Sequence, residues 1–147
     1  MENALKNRVY EEVTVYGSFS NDYDLFVNWT ERLAYEMPFI DEQIKLLQGT
    51  AGAPLDVLDT ACGTGMHAII LAQRGHRVSA ADLFPQMVEI GAGNARKAGA
   101  EVRFEAAGLG DMSATFGNER FDLLLCLGNS LPHLTNDSDL SQALEDF

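Results

Sequence analysis

One stretch constrains this chain more than any other. A short apolar run, Leu55-Asp56-Val57-Leu58-Asp59, empties through Thr60-Ala61-Cys62 into Gly63-Thr64-Gly65, and a helical segment follows. Closely spaced glycines between a strand and a helix let backbone amides approach a ligand, because glycine lacks a Cβ and accepts positive φ. The pattern then repeats. Gly63 to Arg74 carries Ile69, Ile70 and Ala72 and stops at Gly75; His76 to Ala81 reads as a second strand. Pro85 to Ala98 is a helix opened by proline and closed by Gly99, in the usual asymmetry of helix ends. Glu101 to Ala106 alternates as a third strand, and Phe121 to Leu127 is an apolar run suited to a central parallel strand. A last helix runs from Ser138 to Phe147. Strand–helix alternation predicts an α/β fold, a doubly wound, Rossmann-like parallel sheet with helices on both faces. Right-handed crossovers leave few topologies for it.

Ahead of this unit the chain is less regular. Residues 1–22 are polar, with turn formers at Gly17, Ser18, Ser20 and Asn21, and are expected to form an arm or lid. Residues 23–147 are expected to form the domain. From Asp24 onward Leu25, Phe26, Trp29, Leu33 and Ala34 recur at helical spacing. Pro38 marks a break or a new first turn, Ile40, Ile44 and Leu47 make the next stripe, and Gly49 to Pro54 is a stop.

Charge narrows the partners. A formal net charge of −12 repels phosphate backbones, so no nucleic acid is expected, and a small neutral or cationic partner is. No apolar run approaches the ~20 residues needed to span a bilayer, and Met1 to Tyr10 lacks a signal-peptide core. The expectation is a cytoplasmic protein with no membrane partner and two reduced cysteines, Cys62 and Cys126. No Cys/His cluster suggests a metal.

The glycine turn gains meaning from Asp82, which ends the second strand 19 residues beyond Gly63. An acid there accepts both hydroxyls of a ribose, which implies an adenosine-type cofactor. Gly63-x-Gly65-x-x-Ala68 also satisfies a loose dinucleotide pattern. Asp59 discriminates. Beside a pyrophosphate, an acid at ~4 Å costs about 4 kcal/mol at an effective dielectric near 20. S-adenosylmethionine carries an ammonium and a sulfonium instead, so Asp59 favours it. The plainer role for Asp59 is to cap the turn.

These segments resemble known motifs. Val57 to Gly65 is similar to motif I of the class I S-adenosylmethionine-dependent methyltransferases. Asp82-Leu83-Phe84-Pro85-Gln86-Met87 resembles their second-strand motif, and Gly110-Asp111-Met112 the motif after the third strand, whose acid binds the adenine amine. Phe121 to Leu134, with Cys126-Leu127-Gly128-Asn129-Ser130 and His133, resembles the fourth-strand motif of the glycine N-methyltransferase group and its small-molecule relatives. Tyr23-Asp24 and Trp29 to Arg32 are similar to that group's N-terminal segment. The resemblance implies cofactor contacts from Tyr23, Trp29, Asp59, Ala61, Gly63, Gly65, Asp82, Leu83, Met87, Asp111, Met112 and Leu127. It implies strand order 3-2-1-4, and transfer of a methyl group to a small molecule, an amine by preference, with S-adenosylhomocysteine as product.

Two departures stand out. Gly108-Leu109-Gly110 lengthens the turn before Asp111. The family's sheet has seven strands, and its last three would follow the helix at Ser138. The strand at 121–127 is therefore expected to be an open edge: either the chain is a truncated form of a longer protein, or a homo-oligomer or completing chain meets that edge.

Asn129 and Ser130 follow the fourth strand, where open α/β sheets place ligands; the alternative is a simple turn. Asn129 and His133 are the candidate catalytic residues, His133 as a substrate-orienting group or weak base, or else a cap. Tyr23 and Trp29 either cover the methionine moiety by cation–π contact or fill a helix core. Arg32 either pairs with the methionine carboxylate or is a surface charge. His67 and His76 read as helix and turn positions without chemistry. The rival functions are a non-catalytic or fragmentary cofactor-binding domain and, further off, a nicotinamide-dependent oxidoreductase.

Overall fold

The computed structural model describes residues 22–147; apart from Asp22, the expected arm lies outside them. Four parallel strands form the sheet: β1 (Asp56–Asp59), β2 (Arg77–Asp82), β3 (Val102–Ala106) and β4 (Leu123–Leu125), in the order 3-2-1-4 that the motifs implied. Asp59 stands level with Ala80 on one side and Leu125 on the other. The helices are α1 (Tyr23–Phe26), α2 (Trp29–Gln48), α3 (Met66–Gln73), α4 (Pro85–Ala98), α5 (Met112–Phe116) and α6 (Asp137–Asp146), with a single 3₁₀ turn at Leu131–His133.

The alternation of side chains along each strand builds two cores. Val57, Val78, Ala80 and Leu125 face one side, where Met37, Ile40 and Ile44 of α2 and Ala68 and Leu71 of α3 cover them. Leu58 and Ala81 face the other, against Ala107 and Met112 and Phe116 of α5. Crossovers β1–α3–β2 and β3–α5–β4 thus fall on opposite faces, as right-handed connections require when the strand order reverses at β1.

Three expectations shift. Pro38 does not break the helix: α2 runs unbroken through it for 20 residues. The ring sits on the exposed face, and the buried stripe Met37, Ile40 and Ile44 spans the proline and offsets the lost backbone hydrogen bond. The strand expected over Phe121–Leu127 pairs only at Leu123–Leu125. Phe121 turns to stack edge-on against Phe116, with ring centroids 5.7 Å apart, and Gly128 takes φ +72° and leads the chain away. Among the described residues β4 pairs with β1 alone. The third is an addition: no element was expected between the third and fourth strands, and α5, five residues long, is too short to show a period in sequence. No helix among the described residues is long and apolar enough to cross a membrane.

Candidate cofactor cleft

The carboxyl ends of β1, β2 and β4 open into a cleft of about 660 Å³, at the point of strand reversal where doubly wound sheets bind ligands. Its floor is the turn from Thr60 to Gly63. That turn is held by the sheet: Thr60 N–H and its hydroxyl both donate to the Leu125 carbonyl, and Cys62 N–H donates to Ala81. Gly63 takes φ +54°, with the nearest atom to a would-be Cβ being Tyr23 Cε1 at 3.9 Å.

Asp82 braces this turn. Its Oδ2 accepts from Gly63 N–H at 2.8 Å and its Oδ1 from Phe84 N–H at 3.0 Å. Burial pushes the carboxyl up from its usual range, and these two N–H groups pull it back. Each oxygen keeps a lone pair for a further donor. Asp59 is more deeply set, 1% exposed, and its Oδ1 has no hydrogen-bond partner among the described residues. Burial pushes its carboxyl up to about 7; the Ala61 N–H and Arg32 oppose this, and Asp82 and Glu36 add to it.

Of the residues singled out from sequence, Tyr23, Trp29, Asp59, Ala61, Gly63, Asp82, Leu83, Met87, Asp111, Leu127, Asn129 and His133 all line this cleft, as does Ser130. Two do not. Gly65 lies behind the turn at φ +81°, where a Cβ would stand 2.8 Å from Phe104 Cζ; its smallness serves helix-to-sheet packing. Met112 is buried in the core with Leu58 and Ala81, 2% exposed, with its N–H donating to Asp146 at 2.5 Å. His76 is structural, its Nδ1 accepting from Leu55 N–H. Cys62 lines the cleft as a buried free thiol that burial pushes far up.

The sequence reading missed one group. His67 lines the cleft, 4% exposed, and meets Glu36 Oε2 at 2.7 Å. Arg32, open in sequence between a carboxylate contact and a surface charge, lines it too and pairs with Glu36. The available signal was the i,i+4 spacing of Arg32 and Glu36 and the place of His67 in the first turn after the glycines. Trp29, expected over the cofactor, holds the Arg32 guanidinium 5.2 Å from its own ring centroid. Its indole N–H donates to Asp24, which also accepts from the Thr64 hydroxyl and the Asn94 amide. One carboxylate thereby ties α1 and α2 to the glycine turn and to α4.

The profile of a family described as methyltransferase domain matches residues 57–147, from β1 to the end of the chain. The chain belongs to the methyltransferase-domain family. This domain is 31% identical to the glycine/sarcosine N-methyltransferase of Halorhodospira halochloris over 94% of its own length and 49% of that protein's. It is 33% identical to the enzyme of the same name from Parasynechococcus marenigrum, over 88% and 44%. The chain thus spans about half the length of the curated relatives it matches. An S-adenosylmethionine-dependent methyltransferase from Clostridium acetobutylicum superposes with a TM-score of 0.68 at 24% identity, covering 90% of this chain and 51% of that one, and shares the Rossmann-like fold.

Proposed function

We propose that this methyltransferase domain binds S-adenosylmethionine and serves the transfer of its methyl group to the nitrogen of a small amine, with S-adenosylhomocysteine as the leaving product. The observation that carries the reading is Asp59: a buried carboxyl on the cleft wall with an oxygen that no described residue satisfies. Unpartnered buried oxygens are costly, and a cationic group in the cleft relieves this one. A pyrophosphate would aggravate it, so the nicotinamide alternative fits poorly.

The donor set suits the cofactor. Asp82 keeps acceptor capacity for ribose hydroxyls, Asp59 would meet the ammonium, and Arg32 the carboxylate. Leu83, Met87 and Leu127 supply apolar walls for the base, with Asp111 at its edge. When bound, the cofactor supplies a methyl group already activated on a sulfonium. The chain's task is then to hold both reactants in line and exclude water. Asn129 and His133, which line the cleft after β4, would orient the acceptor. The preference for an amine rests on the relatives, named for N-methylation of glycine and sarcosine.

Calorimetry decides the cofactor: S-adenosylmethionine should bind and NAD should not, and tighter binding of NAD would overturn the reading. Release of S-adenosylhomocysteine with glycine, sarcosine and other small amines identifies the acceptor.

A further inference from the structure

Arg32 is fixed in the cleft by a group on another helix. Its Nε donates to both oxygens of Glu36, at 3.1 and 3.2 Å. Such an i,i+4 pair alone on a helix surface is weak and mobile. Here His67, from α3, reaches the same carboxylate at 2.7 Å. A carboxylate only accepts, so His67 Nε2 carries the proton, and burial holds the imidazole below its ordinary range, a neutral donor. The His67 ring also stands edge-on to Trp29, 6.0 Å between centroids, and Trp29 backs the guanidinium. Gly128 closes the far side, where a Cβ would lie 3.3 Å from Arg32 Nη2. Among the described residues, the terminal nitrogens of Arg32 make no hydrogen bond. A guanidinium clamped through Nε, with its outer fork free, matches a carboxylate.

We infer that His67, acting through Glu36, is a positioning residue that holds Arg32 as the carboxylate-recognising group of the cleft. The carboxylate is either that of the cofactor's amino-acid end or that of an amino-acid acceptor. The inference rests on the proposed cofactor reading, and its test separates the two.

The test compares S-adenosylmethionine with its decarboxylated analogue by calorimetry, and measures KM for glycine at saturating cofactor. His67→Ala should weaken S-adenosylmethionine by about tenfold, the worth of a misaligned charge-assisted contact, and leave the analogue unaffected. His67→Gln, which restores a donor, should recover most of the loss. Loss confined to KM for glycine assigns the carboxylate to the acceptor and upholds the role of His67. The double variant with Arg32→Ala should be no weaker than Arg32→Ala alone. Thermal melting reports folding; if His67→Ala does not fold, Glu36→Gln replaces it with the same expected pattern. Equal weakening of cofactor and analogue overturns the inference, as does no change in either affinity or KM. A wild-type chain that binds neither compound instead defeats the cofactor reading itself.

Discussion

Asp59 gives the chain a pH signature that can be worked through. In the unfolded chain this carboxyl ionises near 3.8, whereas in the fold it keeps its proton up to about 7. Between those values the folded state binds more protons, so stability falls as pH rises from about 4 to about 7, then levels off. The gap sets an upper bound of about 4 kcal/mol on that loss. A cation placed against Asp59 favours the ionised form, so binding S-adenosylmethionine at pH 7 should release about half a proton. Affinity should fall about fivefold from pH 7 to pH 6 by the same linkage. The cofactor's own amino group titrates near 8, which confines the measurement to pH 5.5–7. Other groups facing this wall are Asp82, Glu36, Arg32 and His67, and Asp59→Asn is the control that subtracts them. It should bind about 1.5 kcal/mol more weakly at pH 7, lose the proton release and not gain NAD binding. Calorimetry in two buffers of different ionisation enthalpy reads the proton directly. An enthalpy independent of buffer, with a dissociation constant flat over that range, would refute the reasoning; so would a variant with the wild-type slope.

Gly65→Val should cost stability as well as binding, by roughly 3 kcal/mol, because its Cβ meets Phe104 at 2.8 Å on a backbone at φ +81°. An unchanged melting temperature would remove the packing role. Asp82→Ala should weaken the cofactor by about 1.5–3 kcal/mol. It should also destabilise the ligand-free chain by about 2 kcal/mol, since the N–H groups of Gly63 and Phe84 lose their acceptor. Denaturation and calorimetry on the same sample check both, and an unchanged unfolding midpoint would show that Asp82 does not brace the turn.

Much of this architecture was legible because local and global signals agree. α4 was read to the residue, since Pro85 opens it and Gly99, at φ +65°, closes it. Strand order followed from motifs that fix which segment meets which. The misses share a cause: they depend on partners distant in sequence. Pro38 is tolerated because Met37, Ile40 and Ile44 are buried against a sheet formed later in the chain. Gly65 reads as a ligand glycine until Phe104, on β3, is known to lie under it. Met112 falls in the core because α5 covers Leu58 and Ala81. His67 is 31 residues from Glu36, and no periodicity in either helix announces that they touch.

Trp29 is the only tryptophan in the chain, and it stands in the cleft wall. Its indole N–H is bound to Asp24, His67 meets its ring edge-on, Tyr23 lies 6.2 Å away, and a guanidinium rests over it. The protein therefore carries its own optical reporter at the place where occupancy matters. Emission excited through tryptophan comes from this single indole, free of background from any other. Its wavelength and intensity follow the hydrogen bond to Asp24 and the polarity of the cleft, so a titration read in a fluorimeter follows the cleft itself, without a label or a coupled assay.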